Sequence, residues 1–541
     1  MTTLFERHRP TLQAALDAAA KRDYWSAYPE IPSGKFYGET AKDDGLAAYK
    51  ARLGRPFDMV DHPATGTVGA EVSPYGPSLG ITYPAATVDT LVSASQAAAR
   101  QWALASVDAR VGICLEILAR LNARSFEMAN AVMHTTGQAF AMAFQAGGPH
   151  AQDRGLEAVA YAYAEMSRTP EEAIWTKPQG RGEPIVMEKH WRIMPRGISL
   201  VIGCNTFPTW NSYPGLFASL ATGNTIIVKP HPAAILPLAI TVEIIRQVLA
   251  EEGFSADIVL LAADAPGSEI TKDLVRHPAI GIVDYTGSNS FGSWVRANAG
   301  NADVYTEEAG VNSIVIGATG NFAGMCTNIA FSLSLYSGQM CTAPQDIFVP
   351  RSGIETDEGH KSFDKVAAGI AAAGVCGAIA NPATLARIAE ARSLGRVVRD
   401  TASIEGLGDA RTATPLILAV DAVHEAAYAE ERFGPIAFIV AVDDVAEGVE
   451  RAAELAERKG AITAALYETD EARILAAADR FATAGVNLSV NLTGGIYVNQ
   501  SAAFSDFHVT GANPAGNASL TDAAFVANRF RVVMWRRPVA A

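Results

Sequence analysis

The chain has 541 residues, too many for one ordinary hydrophobic core, so two or three domains are expected. Its 57 acidic residues outnumber 43 basic ones, and a net charge of −14 excludes a general nucleic-acid binder while leaving room for a local site that holds an anionic cofactor. Five cysteines, at positions 114, 204, 326, 341 and 376, form no C-x-x-C pair and no ligand cluster, which argues against a disulfide scaffold and against any metal.

The polar start, residues 1–9, lacks the apolar core of a signal peptide, and no later run is long enough to span a membrane. A reducing cytoplasm is therefore the expected compartment. Residues 12–52 are alanine-rich and charged, with turn residues Pro29, Pro32, Gly34 and Gly38, which predicts an amphipathic helix followed by irregular chain. Apolar residues at three- and four-residue steps predict helices over 87–102, 107–133 and 152–166. From 198 the pattern becomes strand then helix, four times over: strands at 198–202, 225–228, 258–261 and 281–284, helices at 214–221, 236–251, 267–276 and 290–299. Short runs apolar on both alternations suit strands buried on both faces, so this α/β alternation implies a parallel sheet covered by helices. A second α/β unit follows, with strands at 313–316, 346–349, 416–419 and 437–440 and helices at 359–373, 383–394 and 445–457. In the tail, 528–535, Phe530, Val532 and Met534 alternate with Arg529 and Arg531, the pattern of an exposed-edge strand. Paired with 174–192, it would form a protruding ribbon that joins subunits.

Chemistry concentrates in a few strings. Ser337-Gly338-Gln339-Met340-Cys341-Thr342 sets one cysteine behind a small-residue turn, and Glu307 lies 34 residues upstream. A thiolate with a carboxylate beside it can make a thioester and hydrolyse it, although a cysteine at the end of an apolar run can equally be a small core hydrophobe. No G-x-G-x-x-G follows the first strand, but Thr286-Gly287-Ser288 sits between a strand and a helix, where free N–H groups and the helix dipole suit a pyrophosphate. Lys229 and His231 follow the second strand, where a lysine could bond ribose hydroxyls or phosphate. Asn205, after the first strand, could donate to an oxyanion. Each of these is also an ordinary turn or strand terminus, as is Glu431-Arg432-Phe433-Gly434-Pro435.

In order and spacing these pieces resemble the aldehyde dehydrogenase superfamily from about residue 87 onward. Glu307-Glu308-Ala309-Gly310-Val311-Asn312-Ser313 is similar to its E-L-G-G-K-x-P motif, Gly338-Gln339-Met340-Cys341 to G-Q-x-C, and Tyr285 through Gly292 to F-T-G-S-x-x-x-G. Asn205-Thr206-Phe207-Pro208 is similar to its N-F-P loop with one residue inserted, and Glu431 through Pro435 to E-x-F-G-P. The long amino-terminal part and the Cys204-Asn205-Thr206-Phe207-Pro208 loop resemble the branch that serves phenylacetate degradation. The resemblance implies a cofactor-binding domain over 1–306 with 174–192 in the oligomerisation ribbon, a catalytic domain over 307–500, and a return with the oligomerisation strand over 501–541.

By the same resemblance Cys341 is the nucleophile, Glu307 the base for thioester hydrolysis, and Asn205 an oxyanion donor. Lys229 and Glu431 would hold the two riboses, Phe433 would pack beside the nicotinamide, Thr286 would lie under it, and Gly287 and Ser288 would meet the pyrophosphate. Two departures matter. The position three after Lys229, a glutamate in NAD-preferring members, is Pro232, which removes repulsion against a 2′-phosphate and, with His231 and Lys229 as partners, predicts NADP preference or dual use with NAD. The usual P-F-G-G-x-K-x-S-G segment is replaced by residues 506–516, so a generic small aldehyde is not the expected substrate. Adjacent Glu307 and Glu308 leave the base open by one position. The implied partners are an aldehyde, free or carried on coenzyme A, and further copies of the chain in a homodimer or homotetramer, with no membrane and no nucleic acid. Two alternatives stay open: a coenzyme A-acylating dehydrogenase, and a non-catalytic member of the fold.

Overall fold

The computed structural model describes residues 3–539 except 269, 309, 373, 375 and 376, so Ala309 of the glutamate motif, Ala373 at the expected end of a helix, and Cys376 lie outside the described residues. Two sheets organise the chain. The first has five parallel strands in the spatial order Val259–Leu261, Thr225–Lys229, Ile198–Ile202, Ile280–Gly287, Asp303–Glu308. Chain order runs outward from Ile198–Ile202 in one direction and then the other, so a crevice opens between that strand and Ile280–Gly287, where open α/β sheets bind ligands. The second sheet has seven strands, centred on Asn312–Ile316, Pro344–Pro350 and Ile436–Val442, and is parallel except for the edge strand Arg396–Arg399.

The four strand–helix repeats match the expectation, and the fifth strand of the first sheet, Asp303–Glu308, is an addition to it. That strand carries Glu307 and continues two residues past position 306. Helix 107–133 is broken at Arg124, whose φ of −104° and ψ of 19° leave the helical well, into Val107–Ala123 and Ser125–Thr136. The helix expected to start at Pro214 starts instead at Pro208; proline is welcome in a helix's first turn, and Pro214 is accommodated inside. Residues 12–52 hold more order than expected: helix Leu4–Lys21 is followed by irregular chain with one helical turn, Gly34–Tyr37, and then by the helix Ala41–Arg52. Both pack on the amino-terminal helices that cover the first sheet. The expected ribbon forms: hairpin strands Glu172–Gln179 and Gly182–Pro195 pair antiparallel, and Phe530–Pro538 joins the second of them. No helix among the described residues is long and apolar enough to cross a membrane.

The tail is tied to the first sheet before it enters the ribbon. Arg529 is fully buried, donates to both Asp284 oxygens at 2.6 and 2.8 Å and to Ser219 Oγ at 2.8 Å, and lies over the adjoining rings of Tyr305 and Phe525. Removing one partner of a buried pair leaves the other charge uncompensated. Arg529→Met is therefore expected to cost about 3–5 kcal/mol in urea unfolding, and Arg529→Met with Asp284→Asn to cost clearly less. Equal losses in the single and double variants would show that the guanidinium acts by packing alone.

Candidate active site

The carboxyl ends of the five parallel strands bring together residues from distant parts of the chain. Asn205 follows Ile198–Ile202, Lys229 ends Thr225–Lys229, Asp264 follows Val259–Leu261, Thr286 and Gly287 end Ile280–Gly287, and Glu307 lies at the end of Asp303–Glu308. Three strand spacings, about 14 Å, separate the lysine strand from the glutamate strand, enough for an extended dinucleotide. The second unit then supplies Cys341 from the loop between helix Phe322–Ser334 and strand Pro344–Pro350.

That loop is held in an unusual conformation. Tyr336, Ser337 and Gly338 have φ of 50°, 51° and 66°, three consecutive left-handed residues, and the two that carry side chains each cost about 1–2 kcal/mol. The cost is met by anchoring: Tyr336 donates to Thr136 O at 2.5 Å, Ser337 Oγ to Gly377 O at 3.2 Å, and Gln339 Nε2 to Tyr336 O and Ala378 O while its Oε1 accepts from Ala380 N–H. Gly338 has a second reason to be glycine. A Cβ there would lie 2.5 Å from Gly434 O, so the cysteine motif and the Glu431–Pro435 loop touch backbone to backbone. Asn312 completes the clamp, donating to Cys341 O and Ala343 O and accepting from Ile462 and Thr463 N–H.

Glu307 faces this cysteine, and its neighbour does not. Successive residues of a strand point to opposite sides. Glu308 is turned to Arg296 on the helix Asn289–Asn298 and forms an ion pair with it. Glu307 Oε2 accepts from Asn211 Nδ2 at 3.0 Å, and Oε1 lies 3.1 Å from His508 Nε2. The same His508 nitrogen is 3.6 Å from Cys341 Sγ. A cavity of about 20 Å³, room for one water, adjoins Glu307 and is lined also by Asn211, Thr286 and Thr306. Burial, and after it the Glu307 carboxylate, holds the Cys341 thiol well above its usual range, with Cys204 and Glu431 adding to the effect. These effects oppose the depressed pKa that a resting thiolate would require.

Asn205 lies on a loop packed against the cysteine turn through Phe207 and Tyr336, whose rings meet edge to face at 5.5 Å, and Gln138 fixes the loop by donating to Thr206 O. Asn205 Oδ1 is buried and has no hydrogen-bond partner, which leaves an acceptor open there, whereas an oxyanion would need the Nδ2 donor. Glu431 and Phe433 are half-buried on a loop that Gln345 anchors through Tyr428 O, Glu430 O and Arg432 N–H. Burial pushes the Glu431 carboxyl up to about 7, with Arg387 opposing.

At the other end of the crevice, Lys229 Nζ lies 2.6 Å from Asp264 Oδ1 and donates to Pro230 O at 2.7 Å. Desolvation lowers the lysine and raises the aspartate, and their attraction opposes both. Asp264 Oδ1 still lacks a hydrogen bond of good geometry, so a ribose hydroxyl would find an acceptor there. His231 is exposed, and its Nδ1 accepts from Ala233 N–H at 3.1 Å, which leaves one ring nitrogen for a ligand. Ser288 caps the helix Asn289–Asn298, and a side chain at Gly287 would strike the Tyr285 hydroxyl, which donates to Ser288 O. These residues fit a dinucleotide: a helix start for its pyrophosphate, and buried acceptors at both ends.

Four residues of the site were not singled out from sequence: Asn211, Asp264, Ser501 and His508. His508 lies in the replaced segment 506–516, and a lone histidine in an otherwise apolar and small-residue stretch was the available signal. The atoms of Glu307, Cys341 and His508 lie within 4.8 Å of one another, although no ligand cluster was expected. The set is a chain of hydrogen bonds rather than an open coordination sphere.

Comparison with known proteins agrees with this geometry. The model of the aldehyde dehydrogenase family matches residues 61–509. N-succinylglutamate 5-semialdehyde dehydrogenase of Burkholderia multivorans (strain ATCC 17616 / 249) is 26% identical over 391 residues, which are 70% of this chain and 76% of that protein. The solved NAD-dependent aldehyde dehydrogenase from Burkholderia multivorans superposes with a TM-score of 0.98 at 54% identity, covering 100% of both chains. A 1-pyrroline-5-carboxylate dehydrogenase, at 18% identity, shares the fold with a TM-score of 0.75 over 96% of this chain and 99% of its own. With its parallel cofactor-type sheet, its second α/β unit and a cysteine facing a glutamate across the crevice, the chain belongs to the aldehyde dehydrogenase family.

Proposed function

We propose that this chain oxidises an aldehyde to a carboxylic acid through a thioester on Cys341. One observation carries the reading: a thiol from the second unit and a carboxylate from the first converge to within 4.8 Å at the mouth of the crevice. Cys341 attacks the carbonyl carbon, and Asn205 with the Cys341 N–H holds the oxyanion. Glu307, steadied by Asn211, takes a proton from the water that hydrolyses the thioester. A bound nicotinamide dinucleotide would supply the hydride acceptor. Its holders would be Lys229, Asp264 and His231 at the adenosine end, Gly287 and Ser288 along the pyrophosphate, and Thr286, Glu431 and Phe433 at the nicotinamide end.

Glu307 also bears on the alternatives. A coenzyme A-acylating enzyme can dispense with a water-activating carboxylate, and here that carboxylate is buried and held by Asn211, with His508 beside its other oxygen. A non-catalytic role would tolerate losing Cys341, Glu307 or Asn205, and all three are present. For the substrate we propose a semialdehyde, of phenylacetate breakdown or of the carboxylate-bearing kind named for the Burkholderia multivorans relative, free or carried on coenzyme A. The four described cysteines are unpaired, in keeping with a cytoplasmic enzyme. The ribbon exposes Ile174, Val533 and Trp535 beside an open strand edge, which suits assembly into a homodimer or homotetramer, and sedimentation velocity reads that state.

For the cofactor, Pro232 favours NADP, whereas Asp264 returns a carboxylate to the lysine and would repel a 2′-phosphate. The relative at 54% identity is described as NAD-dependent. We therefore expect kcat/KM for NAD to exceed that for NADP by about tenfold, with Asp264→Asn narrowing the gap. A panel of free and coenzyme A-linked aldehydes, scored with both dinucleotides and with the product identified as acid or thioester, tests the whole reading. A higher kcat/KM for NADP would return the decision to Pro232, and a thioester product would favour the acylating enzyme.

A further inference from the structure

A thiol held above its usual range needs a proton acceptor before it can attack a carbonyl carbon at neutral pH. The group nearest in chemistry is the His508 imidazole. Its Nε2 lies 3.6 Å from Cys341 Sγ and 3.1 Å from Glu307 Oε1, its Nδ1 is 3.1 Å from Ser501 Oγ, and its ring meets the edge of Trp210 at 4.5 Å. The ring is buried, and its support is itself fixed: Arg154 donates to Ser501 O and Oγ and to Asp506 O, and its guanidinium lies over Trp210. The titratable and charged groups around the ring are Cys341 and Glu307, with Arg154 behind Trp210 and Ser501, while Cys204 and Glu431 act on the sulfur from two other loops.

We propose that His508 is a catalytic residue that takes the Cys341 proton at Nε2, forming a thiolate–imidazolium pair whose proton Glu307 shares. The proposal rests on the reading of Cys341 as the nucleophile. In the tautomer with Nδ1–H donating to Ser501 Oγ, Nε2 presents its lone pair to the thiol and to the Glu307 carboxylate alike; repulsion between lone pair and carboxylate favours taking up the proton, and the new N–H then lies between sulfur and carboxylate. The S–H bond breaks, an N–H bond forms, and sulfur keeps the electron pair that makes the C–S bond as the carbonyl π pair moves to oxygen. The two electrons then removed from that carbon pass to the dinucleotide as hydride. In hydrolysis Glu307 takes a proton from water, the C–S bond breaks with its pair returning to sulfur, and His508 gives its proton back to the thiolate. A proton leaves through Glu307.

The test is alkylation of Cys341 by iodoacetamide in the purified full-length chain without aldehyde or dinucleotide, followed by mass spectrometry. His508→Ala and His508→Gln are compared with wild type, with melting temperature as the check on folding. At pH 7 both variants are expected to react about a hundredfold more slowly, the low end of what a positioned base contributes, and added imidazole is expected to recover part of the rate in His508→Ala. Wild type should alkylate measurably at pH 7 although its thiol is held high, because the imidazole takes the proton as the sulfur attacks. Equal rates in a folded variant, a slow His508→Ala variant that imidazole leaves unchanged, or a wild-type thiol reactive only above about pH 9 would each overturn the proposal. The wild-type profile decides the matter even if neither variant folds. Alkylation needs no substrate, so His508-dependent alkylation in a chain that oxidises no aldehyde would overturn the proposed oxidation and leave this inference standing.

Discussion

Replacing Cys341 with serine is expected to lower kcat/KM for aldehyde oxidation by about 10³-fold or more, equivalent to about 4 kcal/mol of transition-state stabilisation. The hydroxyl is a poorer nucleophile, and an ester is a poorer acyl donor to water than a thioester. The fold should survive, because Cys341 only partly enters a small apolar cluster of Ile462, Val509 and Ala515, and its loop is held by Asn312 and Gln339 rather than by the sulfur. Steady-state kinetics beside thermal melting makes the comparison. Undiminished oxidation by Cys341→Ser would remove the nucleophile from the scheme.

Glu307→Gln separates the two halves of the reaction. Acylation does not need the carboxylate as water-activating base, whereas hydrolysis does, so steady-state kcat is expected to fall by about 10²–10⁴-fold while a burst of about one reduced dinucleotide per site remains. The electrostatic consequence has a definite sign. The Glu307 carboxylate raises the Cys341 thiol pKa, so its neutral isostere should let that pKa fall even as turnover collapses. Stopped-flow absorbance gives the burst. Its disappearance, or full turnover without the carboxylate, would each refute hydrolysis by Glu307.

The legible parts of this chain are those where burial imposes one chemistry on consecutive residues. Strands such as Thr225–Lys229 and Ile436–Val442 are buried on both faces almost throughout, so they are largely apolar and rich in β-branched residues. Thr463–Tyr467 is buried as completely but reads Thr-Ala-Ala-Leu-Tyr, which lacks that signature, and it went unpredicted. Starting the helix at Pro214 rather than Pro208 had a cost at the site. It left Asn211 in a loop when it is on the first turns of a helix that aims it at Glu307. Cys341 and Glu307 were found because motif order survives in one dimension. His508 was not, because its meaning depends on a return of 167 residues that brings it back to the sulfur. Asp264 was hidden similarly, its partner Lys229 belonging to the neighbouring strand.

The ion pair between Glu308 and Arg296 divides the labour of two adjacent acids. Strand Asp303–Glu308 carries two adjacent, chemically near-identical carboxylates, and a slip of one residue against Ile280–Gly287 would present Glu308 to the thiol and Glu307 to the helix behind. Arg296 would pair with whichever carboxylate turned to the helix, so the register itself is set by the backbone ladder to Ile280–Gly287 and by Glu308 N–H donating to Ala515 O. What the cation adds is an asymmetry of charge: the acid on its own side is neutralised, and the acid that faces the thiol is left to take a proton.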